Sequence, residues 1–172
     1  MTVVVQDAST LLNLLASGLL THCAESLGLH ILTTSLVAHE VVSQKNALED
    51  AVSKNWVEIR TPSMDDLLKL HVEVTQRKAK GLTLQDVSAV DLARTMRCPI
   101  FSSDNLLRKY AKSFDLDVKG ELWILDKLVE QSHITPAVAI KKITIMLDVC
   151  KARLPQDEVE IRITRWTAQL QP

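Results

Sequence analysis

The sequence predicts an α/β domain in which a central parallel sheet is wrapped by helices, followed by a helical C-terminal extension. Three observations predict it. Short apolar runs rich in β-branched residues, ThrValValVal at 2–5, HisIleLeuThr at 30–33 and TrpValGluIleArg at 56–60, alternate with longer stretches of helical period. The chain has 172 residues, enough for one domain of ordinary size with a substantial core. Beyond Lys119 the pattern is helical throughout.

Taken in order, residues 2–6 read as a buried strand, and Asp7, Ala8 and Ser9 open a helix through about Ala16 that Gly18 ends. A short helix at 21–27 closes at Gly28, and residues 30–33 form the second strand. Ser35 caps a helix that carries Glu40, residues 56–60 alternate as a strand, and Met64 to about Lys78 is helical. A helix opened by Asp86 runs into a strand ProIlePheSerSer at 99–103, which stops at Asp104. Helices then follow at 121–131, at 136–151 after Pro136 and at 156–169 after Pro155, proline being suited to a first helical turn. The expected organisation is an α/β domain over 1–130 with a helical extension, 131–172, packed on the same domain.

Composition narrows the function. Apolar residues make up 47% of the chain, so it folds as a globule, while aromatics at 3% leave an aliphatic core and no platform for base stacking. A net charge of −1 argues against strong non-specific affinity for nucleic acid from the chain as a whole. Cys23, Cys98 and Cys150 are scattered and odd in number, so they read as reduced core residues of a cytoplasmic protein. No secretory signal and no apolar run long enough to span a bilayer is read.

Chemistry concentrates in four acids. Asp7 and Asp104 each stand where a strand ends, which is where an open α/β sheet builds a site. Each also has a plain reading as a helix N-cap. Asp86 closes a capping-box pattern with Thr83, and its wheel direction lies with Ala89, Val90 and Ala93 on the core side, whereas Asp91 lies with Ser88 and Thr95 on the wet side. Glu40, drawn on the same wheel, falls among Leu36, Val37 and Ala47 with no cation a turn away, a costly place for a carboxylate without a partner or a metal. Four converging carboxylates would repel one another unless a cation intervened, and oxygen-only ligands select hard ions such as Mg²⁺ or Mn²⁺. Basic residues that would meet phosphates are sought at 77–80, Arg94, Arg97 and 108–112.

The successive segments ValValValGlnAspAlaSerThrLeuLeu, ValAlaHisGluValVal, GlyLeuThrLeuGlnAspValSerAlaValAspLeuAla, ProIlePheSerSerAsp and GlyGluLeuTrpIleLeuAspLysLeuVal together resemble the signatures of the PIN domain, in order and with eighteen residues from Asp86 to Asp104. The resemblance spans about residues 3–130. It implies a three-layer α/β/α fold on a flavodoxin-like sheet and a metal-dependent ribonuclease site in which Asp7, Glu40, Asp86 and Asp104 match the four core acids. It also implies an RNA substrate, a homodimer and, for a toxin-type member, an antitoxin partner. Ser9 and Ser103 match positions where the family places a small hydroxyl beside the acids, and capping is the other use for both. His39 points away from Glu40.

The sequence therefore leads to an endoribonuclease in which Asp7, Asp86 and Asp104 hold Mg²⁺ or Mn²⁺ and Glu40 completes the site or positions the attacking water. A binding or protein-interaction module with the same fold is the alternative, since LeuTrpIleLeu and IleThrIleMetLeu are strongly apolar for peripheral helices. A receiver-like phosphoryl-transfer domain is disfavoured, because no lysine is read at a strand end after Asp104.

Overall fold

In the computed structural model, which describes residues 2–170, five strands form one sheet: β1 (Thr2–Gln6), β2 (Leu29–Thr34), β3 (Val57–Arg60), β4 (Ile100–Phe101) and β5 (Val118–Lys119). All pairings are parallel and the order is β3-β2-β1-β4-β5. This order differs from the 2-1-3-4-5 of the flavodoxin type. Its consequence is a reversal of winding between β1 and β4, which leaves a crevice beyond their carboxyl ends.

Among the described residues ten α-helices connect and follow the strands: α1 (Ala8–Ser17), α2 (Leu19–Glu25), α3 (Ser35–Ala38), α4 (Lys45–Ser53), α5 (Met64–Val74), α6 (Leu84–Met96), α7 (Asn105–Lys112), α8 (Glu121–Glu130), α9 (Pro136–Asp148) and α10 (Gln156–Ala168). Alternation along the strands feeds two apolar layers. Val4, Ile31 and Phe101 pack with α1, α2, α4, α8, α9 and α10, and Val5, Leu32 and Ile100 pack with α3, α5, α6 and α7. The result is a three-layer α/β/α sandwich with both faces of the sheet covered, as parallel sheets require.

The last two helices belong to the first of these layers. Ile143 and Met146 of α9 and Trp166 of α10 are buried in the same cluster as Leu11 and Leu14 of α1. Truncating a Trp enclosed to that degree costs about 3–5 kcal/mol, so the extension is part of the fold's stability. Arg162 of α10 also reaches Asp126 of α8, with Nη2 at 2.6 Å from the carboxylate.

Several expected elements differ. The helix after β2 stops at Ala38, with Thr34 as its N-cap, and a separate helix, α4, begins at Lys45. Residues 39–40 and 43–44 form turns, so Glu40 lies outside the helix on which its core-facing direction was drawn, and Ala47 belongs to another element. The helix from Met64 ends at Val74, followed by a 3-10 turn at Arg77–Ala79. The expected strand at 99–103 keeps only Ile100 and Phe101 in the ladder, and β5, which was not anticipated, places a lysine, Lys119, at a strand end after Asp104. Ser88, assigned to the wet side of α6, is 2% exposed. Residues 1, 171 and 172, at the outer ends of the expected domain limits, lie outside the described residues.

Candidate active site

The crevice at the winding reversal is built by two short chain segments that leave β1 and β4 side by side. Asp7 follows β1 and caps α1. Its Oδ1 accepts from the Thr10 backbone N–H at 2.8 Å and from the Ser9 hydroxyl at 3.2 Å, and its Oδ2 accepts from the Ser102 hydroxyl. Ser102 follows β4, and its hydroxyl oxygen accepts in turn from the backbone N–H of Asp104 at 3.1 Å. One buried serine thus ties together the two strand-end aspartates. Asp104 itself is exposed and caps α7, accepting from the Leu107 N–H at 2.8 Å.

Asp7 is 3% exposed and no lysine or arginine pairs with it among the described residues. Burial pushes its carboxyl up from the ordinary 3.8 to about 6, against the opposing pull of the Ser102 and Thr10 hydrogen bonds; the neighbouring charge that raises it further is Glu121. Glu121 opens α8 directly after β5 and is fully buried. Its Oε1 accepts from Asn13 Nδ2 at 2.7 Å and its Oε2 from the Ser103 hydroxyl. The helix N-terminus adds a favourable dipole for this carboxylate. Gly120 permits the close approach: a Cβ there would stand 3.1 Å from Ser103 Oγ and 3.4 Å from the Ser102 carbonyl oxygen.

Glu121 was not among the expected site residues. The rule that found Asp7 and Asp104, an acid where a strand ends, applies to it equally, but β5 is only two residues long and leaves no alternation to read.

Asp86 and Glu40 form a second pair on the same edge of the sheet. α6 starts at the carboxyl ends of the strands, where the Thr34 and Ser88 hydroxyls, 2.8 Å apart, join the end of β2 to the first turns of the helix. Asp86 completes the expected capping box: its Oδ2 accepts from the Thr83 N–H at 2.8 Å and the Thr83 hydroxyl at 2.9 Å. Glu40 is exposed in its turn, and partial burial followed by the charge of nearby Asp86 pushes its carboxyl above the usual range.

The four acids are thus at one edge of the sheet in two pairs, Asp7 with Asp104 through Ser102, and Glu40 with Asp86. Among the described residues no hydrogen bond joins the pairs, and no three Asp, Glu, His or Cys side chains gather closely enough to hold a metal ion as they stand. The donor set is nonetheless all oxygen, carboxylates and serine hydroxyls without a competing cation, which fits a hard divalent ion and not zinc. Beside it lies a cleft of about 770 Å³, whose walls include Ser9, Asn13, Ser103 and Asp104.

Of the basic residues sought near the acids, Arg94, Arg97 and Lys78 lie elsewhere. Arg94 bonds Glu73 at 2.9 Å and lies 4.1 Å from the Phe114 ring centroid, and Arg97 ends α6; both line a second pocket with Cys98 and Asp117, at the opposite edge of the sheet. Lys78 lies 6.0 Å from the same ring. Arg108 is near the acids, but its guanidinium donates to the carbonyls of Ser102 at 2.7 Å and Lys119 at 3.1 Å, holding the ends of β4 and β5 together.

A five-stranded parallel sheet with acids beyond its winding reversal places them where open α/β folds bind ligands, and comparison with known proteins gives the family. The PIN domain profile matches residues 3–167, and the chain belongs to the PIN-domain family, its C-terminal helices included in the match. Among curated proteins, the endoribonuclease Nob1 of Methanocaldococcus jannaschii is 26% identical over 88 residues, 51% of this chain and 44% of that protein. The matched stretch therefore spans less than half of that relative's length. Among solved structures, PAE2754 from Pyrobaculum aerophilum superposes with a TM-score of 0.49 at 20% identity, over 73% of this chain and 88% of that one.

Proposed function

We propose that the chain is a metal-dependent endoribonuclease that hydrolyses RNA phosphodiester bonds at the carboxyl edge of its sheet. The observation that carries this reading is Asp7: a buried carboxyl at the winding reversal, without a cationic partner and hydrogen-bonded through Ser102 to the segment bearing Asp104. Membership of the PIN-domain family and the likeness to an endoribonuclease support the reaction class.

Asp7, Asp86 and Asp104 would hold Mg²⁺ or Mn²⁺, which when bound would supply an acidified water and offset charge on the phosphate. The chain's own residues do the rest. Ser102 keeps Asp7 and the Asp104 segment in fixed relation, and the Thr10 N–H and Ser9 hydroxyl fix the other oxygen of Asp7. Glu40, exposed and with its proton affinity raised, is suited to take a proton from the attacking water. Glu121 is a positioning residue that fixes Ser103 and raises the proton affinity of Asp7.

The finer parts of this reading are that the protein is cytoplasmic, acts as a homodimer and is the toxin of a toxin/antitoxin pair neutralised by a partner protein. Among the described residues no helix is long and apolar enough to cross a membrane. Growth arrest on expression, relieved by a neighbouring gene product, would test the toxin role.

A second reading has its own observation: Asp7 and Asp104 serve as helix N-caps, Asp86 closes the capping box of Thr83, and among the described residues no hydrogen bond joins the two acid pairs. On that reading the domain binds nucleic acid or protein without cutting. Incubation of purified protein with single-stranded RNA in Mn²⁺, and again in chelator, separates the two. Cleavage that stops in chelator supports the enzyme. A folded protein that cuts under no metal rejects it in favour of the binding module.

A further inference from the structure

The proposed site is acidic, yet its substrate is a polyanion, so cations must stand nearby if the strand is to be held. Arg94 and Arg97 are at the wrong edge, and Arg108 is committed to backbone carbonyls. The loop between α9 and α10 supplies what is missing. Residues 149–153 form one wall of the same 770 Å³ cleft that Ser103 and Asp104 line. Proximity to the acids is also visible at Cys150, whose thiol is pushed up by burial and then by the charge of Glu121.

Lys151 and Arg153 of this loop are exposed, and neither makes an ion pair or side-chain hydrogen bond among the described residues. The loop is nonetheless fixed. The N–H groups of Cys150 and Ala152 donate to the Ile145 carbonyl at 3.3 Å and the Met146 carbonyl at 2.9 Å, and Ala152 and Leu154 pack on the main core cluster. Lys151 has φ of 53°, a left-handed conformation uncommon for a lysine.

We propose that the α9–α10 loop is a phosphate-binding wall of the cleft, with Lys151 and Arg153 holding the backbone of the RNA strand that the acids address. This rests on the nuclease reading for its substrate, and it gives the C-terminal extension a second role besides packing. Contacts of this kind position a strand without reading its sequence.

The test measures binding of a fluorescent single-stranded oligouridine by anisotropy in chelator, where the proposed cleavage is off, over a series of salt concentrations. Lys151→Asn keeps a residue tolerant of the left-handed backbone, and Arg153→Gln is made alone and in combination. The double variant is expected to bind about tenfold more weakly, with a log–log salt slope shallower by about 1.4, two phosphate contacts on a single strand. Arg97→Asn is the matched control: its backbone is also left-handed, with φ of 50°, but it lies at the opposite edge, so its affinity is expected to stay within twofold. Thermal melting of each variant checks folding, and each single variant should show about half of the slope change. The proposal is overturned if the folded double variant binds like the parent, or if Arg97→Asn weakens binding as much as Lys151→Asn. Absence of Mn²⁺-dependent cleavage in the parent, with the binding difference intact, would reject the nuclease reading and leave the wall standing.

Discussion

The two edges of the sheet treat charge in opposite ways. At the amino edge, where α6 ends and β4 and β5 begin, Arg94 is paired with Glu73, stacked on Phe114 and 3.8 Å from Asp91, and Asp115 and Asp117 stand near Arg97. At the carboxyl edge, Asp7, Asp104 and Glu121 are held only by hydroxyls, an amide and backbone N–H groups, and no cation pairs with them among the described residues. The first arrangement lowers the energy of the fold. The second raises it at Asp7 and Glu121, because a buried carboxylate without a cation is costly, and such a cost is tolerated where a site uses it. Each edge should therefore fail in its own way.

Asp7→Asn gives the largest expected effect. Removing the ionised form should reduce Mn²⁺-dependent RNA cleavage by about 10²-fold or more, while the protein becomes more stable near neutrality. The sign follows from linkage. With its pKa raised from 3.8 to about 6, folded Asp7 keeps a proton that the unfolded chain has released, so stability is lost as pH rises from about 4 to about 6. The loss is on the order of 3 kcal/mol at about 1.4 kcal/mol per unit. Urea unfolding across this window should show the decline in the parent and not in Asp7→Asn. By the same linkage, Mn²⁺ should raise the parent's Tm more at pH 7 than at pH 5. A variant that loses both activity and stability at pH 7 would mean that the cap matters more than the site.

Glu121→Gln comes next. The amide can still accept from Asn13 and meet the Ser103 hydroxyl, so the fold should survive, with cleavage reduced about 10- to 100-fold, as when an orienting neighbour of a ligand is lost. Its distinguishing readout is the pH profile. With the Glu121 charge gone, one of the influences that raise Asp7 disappears, and the acidic limb of the rate profile should move to lower pH. An unmoved limb would show that Glu121 only fills space under the cleft.

These contrasts also explain what the sequence could and could not reveal. Asp7 and Asp104 were legible because an apolar run that stops at an acid is a local pattern, and a parallel sheet turns every such stop towards the same edge. Glu40 sits beside Asp86 for a different reason than its wheel position suggested: the helix after β2 lasts one turn, and the turn that follows carries Glu40 outward. Positive charge was the least legible feature. Arg94 and Arg97 are close to Asp86 in sequence, but at 1.5 Å of rise per residue α6 carries them about 12 and about 17 Å along its axis to the far edge. Lys151 and Arg153, remote in sequence, come to the cleft only because α9 packs against α1.

The smallest effect is expected at the amino edge and falls on stability alone. Arg94→Gln breaks the bond to Glu73 and the stacking on Phe114, and Glu73 keeps the Tyr110 hydroxyl as a donor. Arg94 is 36% exposed, so solvent screens the ion pair, and the pair with the ring contact together should be worth about 1 kcal/mol. The expected result is a Tm lower by a few degrees, with kcat and KM for RNA within twofold of the parent, measured at a temperature where both proteins are folded. If kcat falls while Tm holds, the amino edge takes part in the reaction, and the division of labour between the two ends of the sheet is wrong.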